Sequence, residues 1–128
     1  MERTGRLLIY SHDSFGLGHL RRCQTIAHHL VDAFPDLTAL ILSGSPIIGS
    51  FDFKSRVDFV RVPGVIKLRN GEYTPLRLHL GLEQTLAMRG SIMRHTADIF
   101  DPHAKLVDKE PLGLRGEVRE TLIMLKER

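Results

Sequence analysis

The stretch Arg6-Leu7-Leu8-Ile9-Tyr10-Ser11-His12-Asp13-Ser14-Phe15-Gly16-Leu17-Gly18-His19-Leu20-Arg21-Arg22-Cys23 decides the fold. From Arg6 to Ser11 four apolar residues follow one another without a polar interruption. Strands of that kind belong to parallel sheets covered on both faces. Turn-forming residues occupy His12 to Gly18. Beyond them Leu20, Cys23, Ala27, Leu30, Val31 and Phe34 recur at helical spacing, with Arg21, Arg22, Gln24, His28 and Asp32 on the other side. The spacing predicts a helix over about His19 to Phe34, ended by Pro35. Strand, glycine loop and helix together make the opening unit of an α/β sheet.

The pattern repeats along the chain. Strands are expected over Thr38–Leu42, closed by Ser43-Gly44-Ser45-Pro46, over Val57–Val62, closed by Pro63-Gly64, and over Lys105–Val107. Helices are expected over Leu82–Phe100 and Glu117–Lys126. The expected fold class is therefore α/β, a Rossmann-like parallel sheet flanked by helices. Right-handed crossovers make 3-2-1-4, with strand one central, the simplest order. The stretch from Val65 to Leu80 has no clear period, and so long a segment in a small domain is more often functional than decorative. Arg89 falls inside the apolar stripe of the second helix, beside Gly90. The simpler expectation is a break at Gly90 that turns Arg89 outward; the sharper one is an arginine reaching towards an anion.

Composition excludes several classes. With 128 residues the chain is one domain, 1–128, large enough to hold a core without staples. Hydrophobic residues at 42% and charged residues at 26% argue against disorder. The longest apolar runs are four residues, where a membrane span needs about 20. No signal-peptide core is seen either, so a cytoplasmic protein is expected. One cysteine, Cys23, excludes an internal disulfide and a cysteine-built zinc site. The net charge of +3 is mild and the bases are scattered, without the stripe and stacking aromatics of nucleic-acid binders, so no nucleic-acid partner is expected. Arginine outnumbers lysine 13 to 5, which leaves an anionic small ligand or a peripheral contact with an anionic membrane open.

The glycine loop carries the chemistry. Gly16 and Gly18 let the backbone approach a ligand, and the helix N-terminus offers unpaired N–H groups to an anion. The loop lies at the carboxyl end of strand one, where ligands of open α/β sheets sit. A dinucleotide fingerprint would need a third glycine where Arg21 stands and an acid near Leu42-Ser43-Gly44, so no NAD-type cofactor is expected. The Gly-Lys-Ser/Thr of a Walker loop is missing too, and no cofactor of any kind is expected. His19 follows Gly18 directly. The positive end of the helix favours its neutral ring, which suits general-base activation of a hydroxyl or water; the simpler role is a surface or capping residue. Asp108 and Glu110 are expected at the end of strand four, on the ligand side, where a carboxylate could bind the hydroxyls of a ligand or orient His19. The plainer expectation is a charged loop held by Lys109 and Arg115. The histidines His28, His29, His79, His95 and His103 lack ligand spacing, so they are expected to be solvated and no metal site is expected.

Gly16-Leu17-Gly18-His19-Leu20-Arg21-Arg22-Cys23, with Ile26-Ala27 and Leu30 behind it, resembles the N-terminal signature of GT-B nucleotide-sugar glycosyltransferases. The likeness is to predicted bacterial glycosyltransferases related to the lipid-II-forming N-acetylglucosaminyltransferase, family 28-like. A similar run occurs in the UDP-sugar hydrolase of pseudaminic acid synthesis. Asp58-Phe59-Val60 to Pro63-Gly64, followed by Asn70-Gly71-Glu72-Tyr73, looks like the family's third strand and acceptor-side loop. Phe100-Asp101-Pro102 through Val107-Asp108-Lys109-Glu110-Pro111-Leu112-Gly113 resembles its fourth-strand motif.

The resemblance implies the acceptor-side half of a two-domain enzyme. His19 would be catalytic, and Ser14, Gly16, Leu17, Gly18, Arg21, Asp108 and Glu110 would bind substrate. The partners implied are a nucleotide-sugar donor, held weakly by this half alone, a sugar or lipid-linked acceptor, and a C-terminal-type donor domain or subunit. Nothing in the chain matches that donor half, so a fragment, a truncated gene or one subunit of a split transferase is expected. Two rival readings are a nucleotide-sugar hydrolase using His19 on water, and a non-catalytic module that pairs with a separate donor-domain chain. If strands are missing beyond strand four, an exposed apolar patch is expected near Val107, Leu112, Val118, Leu122 and Leu125.

Overall fold

The computed structural model describes residues 5–12, 18–109 and 112–127. The elements in chain order are β1 (Gly5–Tyr10), α1 (Gly18–Ala33), β2 (Leu37–Ser43), β3 (Val57–Arg61), β4 (Val65–Lys67), β5 (Tyr73–Pro75), α2 (Leu82–Phe100), β6 (Ala104–Val107) and α3 (Arg119–Lys126). Four strands form a parallel sheet in the order β3-β2-β1-β6. This is the α/β, Rossmann-like arrangement with β1 inside the sheet.

The alternation along β1 shows why its residues are apolar throughout. Leu7 and Ile9 face a core made with Leu20, Cys23, Ala27 and Val31 of α1 and with Ala39 and Ile41 of β2. Leu8 and Tyr10 face the other core, with Leu42 of β2, with Met93 and Ala97 of α2, and with Val118. Register pairs such as Ile9 with Ile41 and Tyr10 with Val107 hold both faces in phase across the strands. A one-residue slip would exchange the two faces of β1. Helix α1 ends one residue before Phe34, which is exposed rather than part of the buried stripe. Arg56 ties the end of the helix to the next strand, donating to the oxygens of Val31 in α1, Phe34 just beyond it and Leu37 at the start of β2, at 2.7, 3.1 and 2.6 Å.

Three expectations need correction. The aperiodic segment from Val65 holds an antiparallel hairpin, with Val65 opposite Pro75 and Lys67 opposite Tyr73. Strands of three residues are too short to show a period of two. Helix α2 runs without a break through Gly90, and Arg89 is wholly buried instead of turned outward. The patch expected beyond the fourth strand is mostly covered. Val118 is buried, Val107, Leu122 and Leu125 pack on the second core, and of the five only Leu112 is exposed, at 46%.

Burial of Arg89 is compensated in full view. Its Nε and Nη2 donate to Oε2 and Oε1 of Glu117 at 2.8 and 2.7 Å, and Nη1 donates to the carbonyl of Pro63 at 2.8 Å. The Tyr10 hydroxyl donates to Glu117 Oε1 at 2.5 Å and accepts the N–H of Leu114 at 3.0 Å. Burial, then the Glu117 carboxylate, hold that hydroxyl protonated far above the ordinary tyrosine range. Gly90 lets the second helical layer come close, since a Cβ there would lie 3.2 Å from the Glu117 carbonyl. Gly113, at φ +77°, admits neither the backbone strain nor the volume of a side chain: a Cβ would sit 2.9 Å from Val118.

Removing one member of a buried pair strands the other charge. Glu117→Ala is expected to lower unfolding stability by about 3–5 kcal/mol in urea titration. Arg115→Ala, which breaks the exposed pair of Arg115 with Glu83, is expected to cost less than about 1 kcal/mol. Equal midpoints for the two variants would contradict the assignment of Arg89–Glu117 as the structural pair.

Candidate functional site

The chain leaves β1 towards β2 through α1, and it later returns to lay β6 on the opposite side of β1. The strand order therefore changes direction between β1 and β6, and ligands of open α/β sheets bind in the crevice outside the carboxyl ends at such a point. Polar residues gather there. Ser11 and His12 follow β1, Ser43 closes β2, and all three are buried. Asp108 follows β6, its N–H bonded to the Tyr10 carbonyl at 3.0 Å.

His19, the second residue of α1, faces Asp108 across this crevice. Its Nδ1 lies 2.6 Å from Asp108 Oδ2. Arg22, one turn further along α1, donates from Nη2 to Asp108 Oδ1 at 2.7 Å. The same nitrogen lies 2.8 Å from His19 Nδ1. Both cannot donate to each other, and the shorter contact decides: Nδ1 carries the hydrogen towards the carboxylate. In the neutral ring Nε2 is then the acceptor. The side chains of His19 and Asp108 are 23% and 11% exposed, sheltered yet reachable. The His12 ring stands edge-on to His19 at 5.7 Å between centroids. The arrangement can take a proton at Nε2 and hold the ring in orientation through Asp108, whose own position Arg22 secures.

Of the residues picked out in the sequence, His19 and Asp108 come together. Asp108 is held by His19 and Arg22, not by Lys109 and Arg115, since Arg115 turns to Glu83 at 3.0 Å. Arg21 is exposed and takes no part among the described residues; its neighbour Arg22 does. Gly18 opens α1, and no described heavy atom lies within 4 Å of a Cβ built there. Ser14, Gly16, Leu17 and Glu110 lie outside the described residues. Sequence reading missed Arg22, Ser11, His12 and Ser43 as site residues. The available signal was a polar residue directly after an apolar strand, as in Tyr10-Ser11-His12 and Leu42-Ser43.

Two of the remaining histidines are structural instead of merely solvated. His28 Nε2 accepts the Lys54 N–H at 3.2 Å, and His103 Nδ1 accepts the Arg6 N–H at 3.1 Å. Desolvation, followed by the Lys54 charge, pulls His28 below the ordinary imidazole range. Among the described residues no group of three or more His, Cys, Asp or Glu could hold a metal ion, and no helix is long and apolar enough to cross a membrane.

Cys23 packs beneath the site, and burial pushes its thiol from 9.0 up to about 11. Between those values the unfolded chain has lost the thiol proton and the folded chain keeps it, so folding stability is expected to fall as pH rises from about 9 to 11. Cys23→Ser should flatten that part of the stability curve in alkaline urea titrations. At the site itself, Asp108→Asn should turn its amide oxygen to Arg22 and its NH2 to His19. That reverses the ring to the Nε2–H tautomer, read from the 15N shifts of the imidazole; an unchanged Nδ1–H ring would refute the assignment.

Compared with protein-family models, with curated proteins and with solved structures, the chain gives no match.

Proposed function

We propose that this chain is the acceptor-side half of a GT-B-type glycosyltransferase that moves a sugar from a nucleotide-sugar donor to a hydroxyl acceptor. The observation that carries the reading is the Asp108–His19 pair at the switch point of a parallel sheet. His19 Nε2 removes the proton of the acceptor hydroxyl as its oxygen bonds to the anomeric carbon. The bond from that carbon to the diphosphate oxygen breaks, and the nucleoside diphosphate leaves with the electron pair. Asp108 steadies the imidazolium that forms, and Arg22 keeps Asp108 in place. The N-terminal turn of α1 faces the leaving group. On this reading the nucleoside is gripped by a second Rossmann-like half, fused or supplied in trans. The resemblance of the glycine-loop, third-strand and fourth-strand motifs supports that division of labour.

Transfer needs the donor held against the acceptor in near-attack geometry, which one wall of a cleft does not provide. The 128 residues alone are therefore expected to bind a UDP-sugar only weakly, with Kd on the order of millimolar, and to show no measurable transfer. Combined with a donor half, they should release nucleotide in an acceptor-dependent way. His19→Ala in that combination should reduce turnover by about 100-fold or more. Nucleotide release that ignores added acceptor would replace the transferase reading with sugar-nucleotide hydrolysis, and unimpaired His19→Ala would remove the base from the mechanism.

A further inference from the structure

Arg61 and Arg77 line a hollow of about 300 Å³, together with Val62, Pro63, Gly64 and Leu78. Its size falls at the lower end of small-ligand pockets, enough for an anionic group and part of what carries it. Arg6, Arg22, Arg89, Arg115 and Arg119 each meet a carboxylate, and Arg56 meets backbone carbonyls. Among the described arginines Arg21, Arg61, Arg69, Arg77 and Arg94 meet no carboxylate, and of these Arg61 and Arg77 share this hollow. Two like charges converge on one hollow with nothing described to neutralise them.

The wall that carries them is stiff. Arg61 is the last residue of β3 and pairs in register with Ser43, and the following Val62 N–H bonds the Ser43 carbonyl at 2.9 Å. The Pro63 carbonyl is held by buried Arg89, and the Gly64 carbonyl accepts the Leu76 N–H at 2.9 Å, next to Arg77. Gly64 lies so close to Gly44 that a Cβ would fall 2.8 Å from its carbonyl oxygen. Two guanidinium forks on such a frame can be bridged by one acceptor with three oxygens, whereas a carboxylate is satisfied by one fork.

We propose that this hollow is a phosphoryl seat, with Arg61 and Arg77 clasping a phosphate monoester or diphosphate group. The seat lies on the same carboxyl edge of the sheet as His19. β3 is two strands from β1, roughly 10 Å at the usual strand spacing. A ligand of sugar-phosphate length spans that interval, so the acceptor brought to His19 carries its phosphoryl group here; this last step rests on the functional reading above. The same group can be presented by a soluble phosphate ester or by a lipid-linked phosphate.

The test uses the full chain at constant ionic strength, titrated with inorganic phosphate and with glucose 1-phosphate while the arginine Nε–H signals are followed by NMR. Saturable shifts at Arg61 and Arg77 are expected. Arg61→Gln and Arg77→Gln should each weaken binding by about tenfold, the loss of a charge-assisted contact, while Arg69→Gln at the hairpin tip should leave it unchanged. A second arm measures co-sedimentation with phosphatidylcholine vesicles with and without phosphatidic acid. Loss of binding in Arg77→Gln in either arm supports the seat, and the arm that responds identifies the source. Shifts that chloride reproduces, equal loss in Arg69→Gln, or binding in neither arm would overturn it. His19→Ala should keep phosphate binding intact, so a failure of the transferase reading leaves a different signature from a failure of the seat.

Discussion

The buried Arg89 guanidinium ties together parts of the chain that sequence order keeps far apart. It stands on α2, reaches Glu117 ahead of α3, and holds the Pro63 carbonyl beyond β3. Through Glu117 it also reaches Tyr10 on the central strand, which in turn fixes the Leu114 N–H. One cation therefore sets the distances between the sheet, the helical layer beside it and two loops at the carboxyl edge. Desolvating such a group is costly, and the cost is offset because each of its three nitrogens finds an acceptor. The geometry of that knot is directional, where apolar packing is not. It fixes how the second layer sits on the sheet, while the apolar contacts supply the bulk of the burial.

The candidate site benefits from that rigidity without belonging to it. Tyr10 gives its hydroxyl to the knot and its carbonyl to the Asp108 N–H. The backbone that presents Asp108 to His19 is thus anchored on the strand whose side chain is most tightly held. Arg22 then locks the carboxylate from the helix side. A base must be oriented before it meets a substrate, and here the orienting groups come from three separate elements, α1, β1 and β6.

Much of the fold was legible because the decisive signals are local. The uninterrupted apolar run before Ser11 announces a doubly covered strand, and α2 shows its full extent from Leu82 to Phe100 in its periodicity. The hairpin was not legible, since three-residue strands carry no readable alternation. Arg89 announced itself as an anomaly in an apolar stripe, but its partner lies 28 residues away, with nothing in the spacing to link them. His19 and Asp108 were each picked out from their places at element ends. Their meeting across 89 residues depended on strand order, and Arg22 was hidden because an arginine on the polar side of a helix looks like solvent-facing charge.

The chain has no tryptophan and two tyrosines, and the fold separates them. Tyr10 lies in the core with its hydroxyl on a carboxylate; Tyr73 lies in the small hairpin, its ring near the Lys67 ammonium at 6.0 Å. Near-ultraviolet absorbance and emission thus come chiefly from two dissimilar surroundings. A change in the Tyr10 signal reports on the central layer and a change in the Tyr73 signal on the β4–β5 hairpin, and replacing one tyrosine by phenylalanine leaves the other as the reporter.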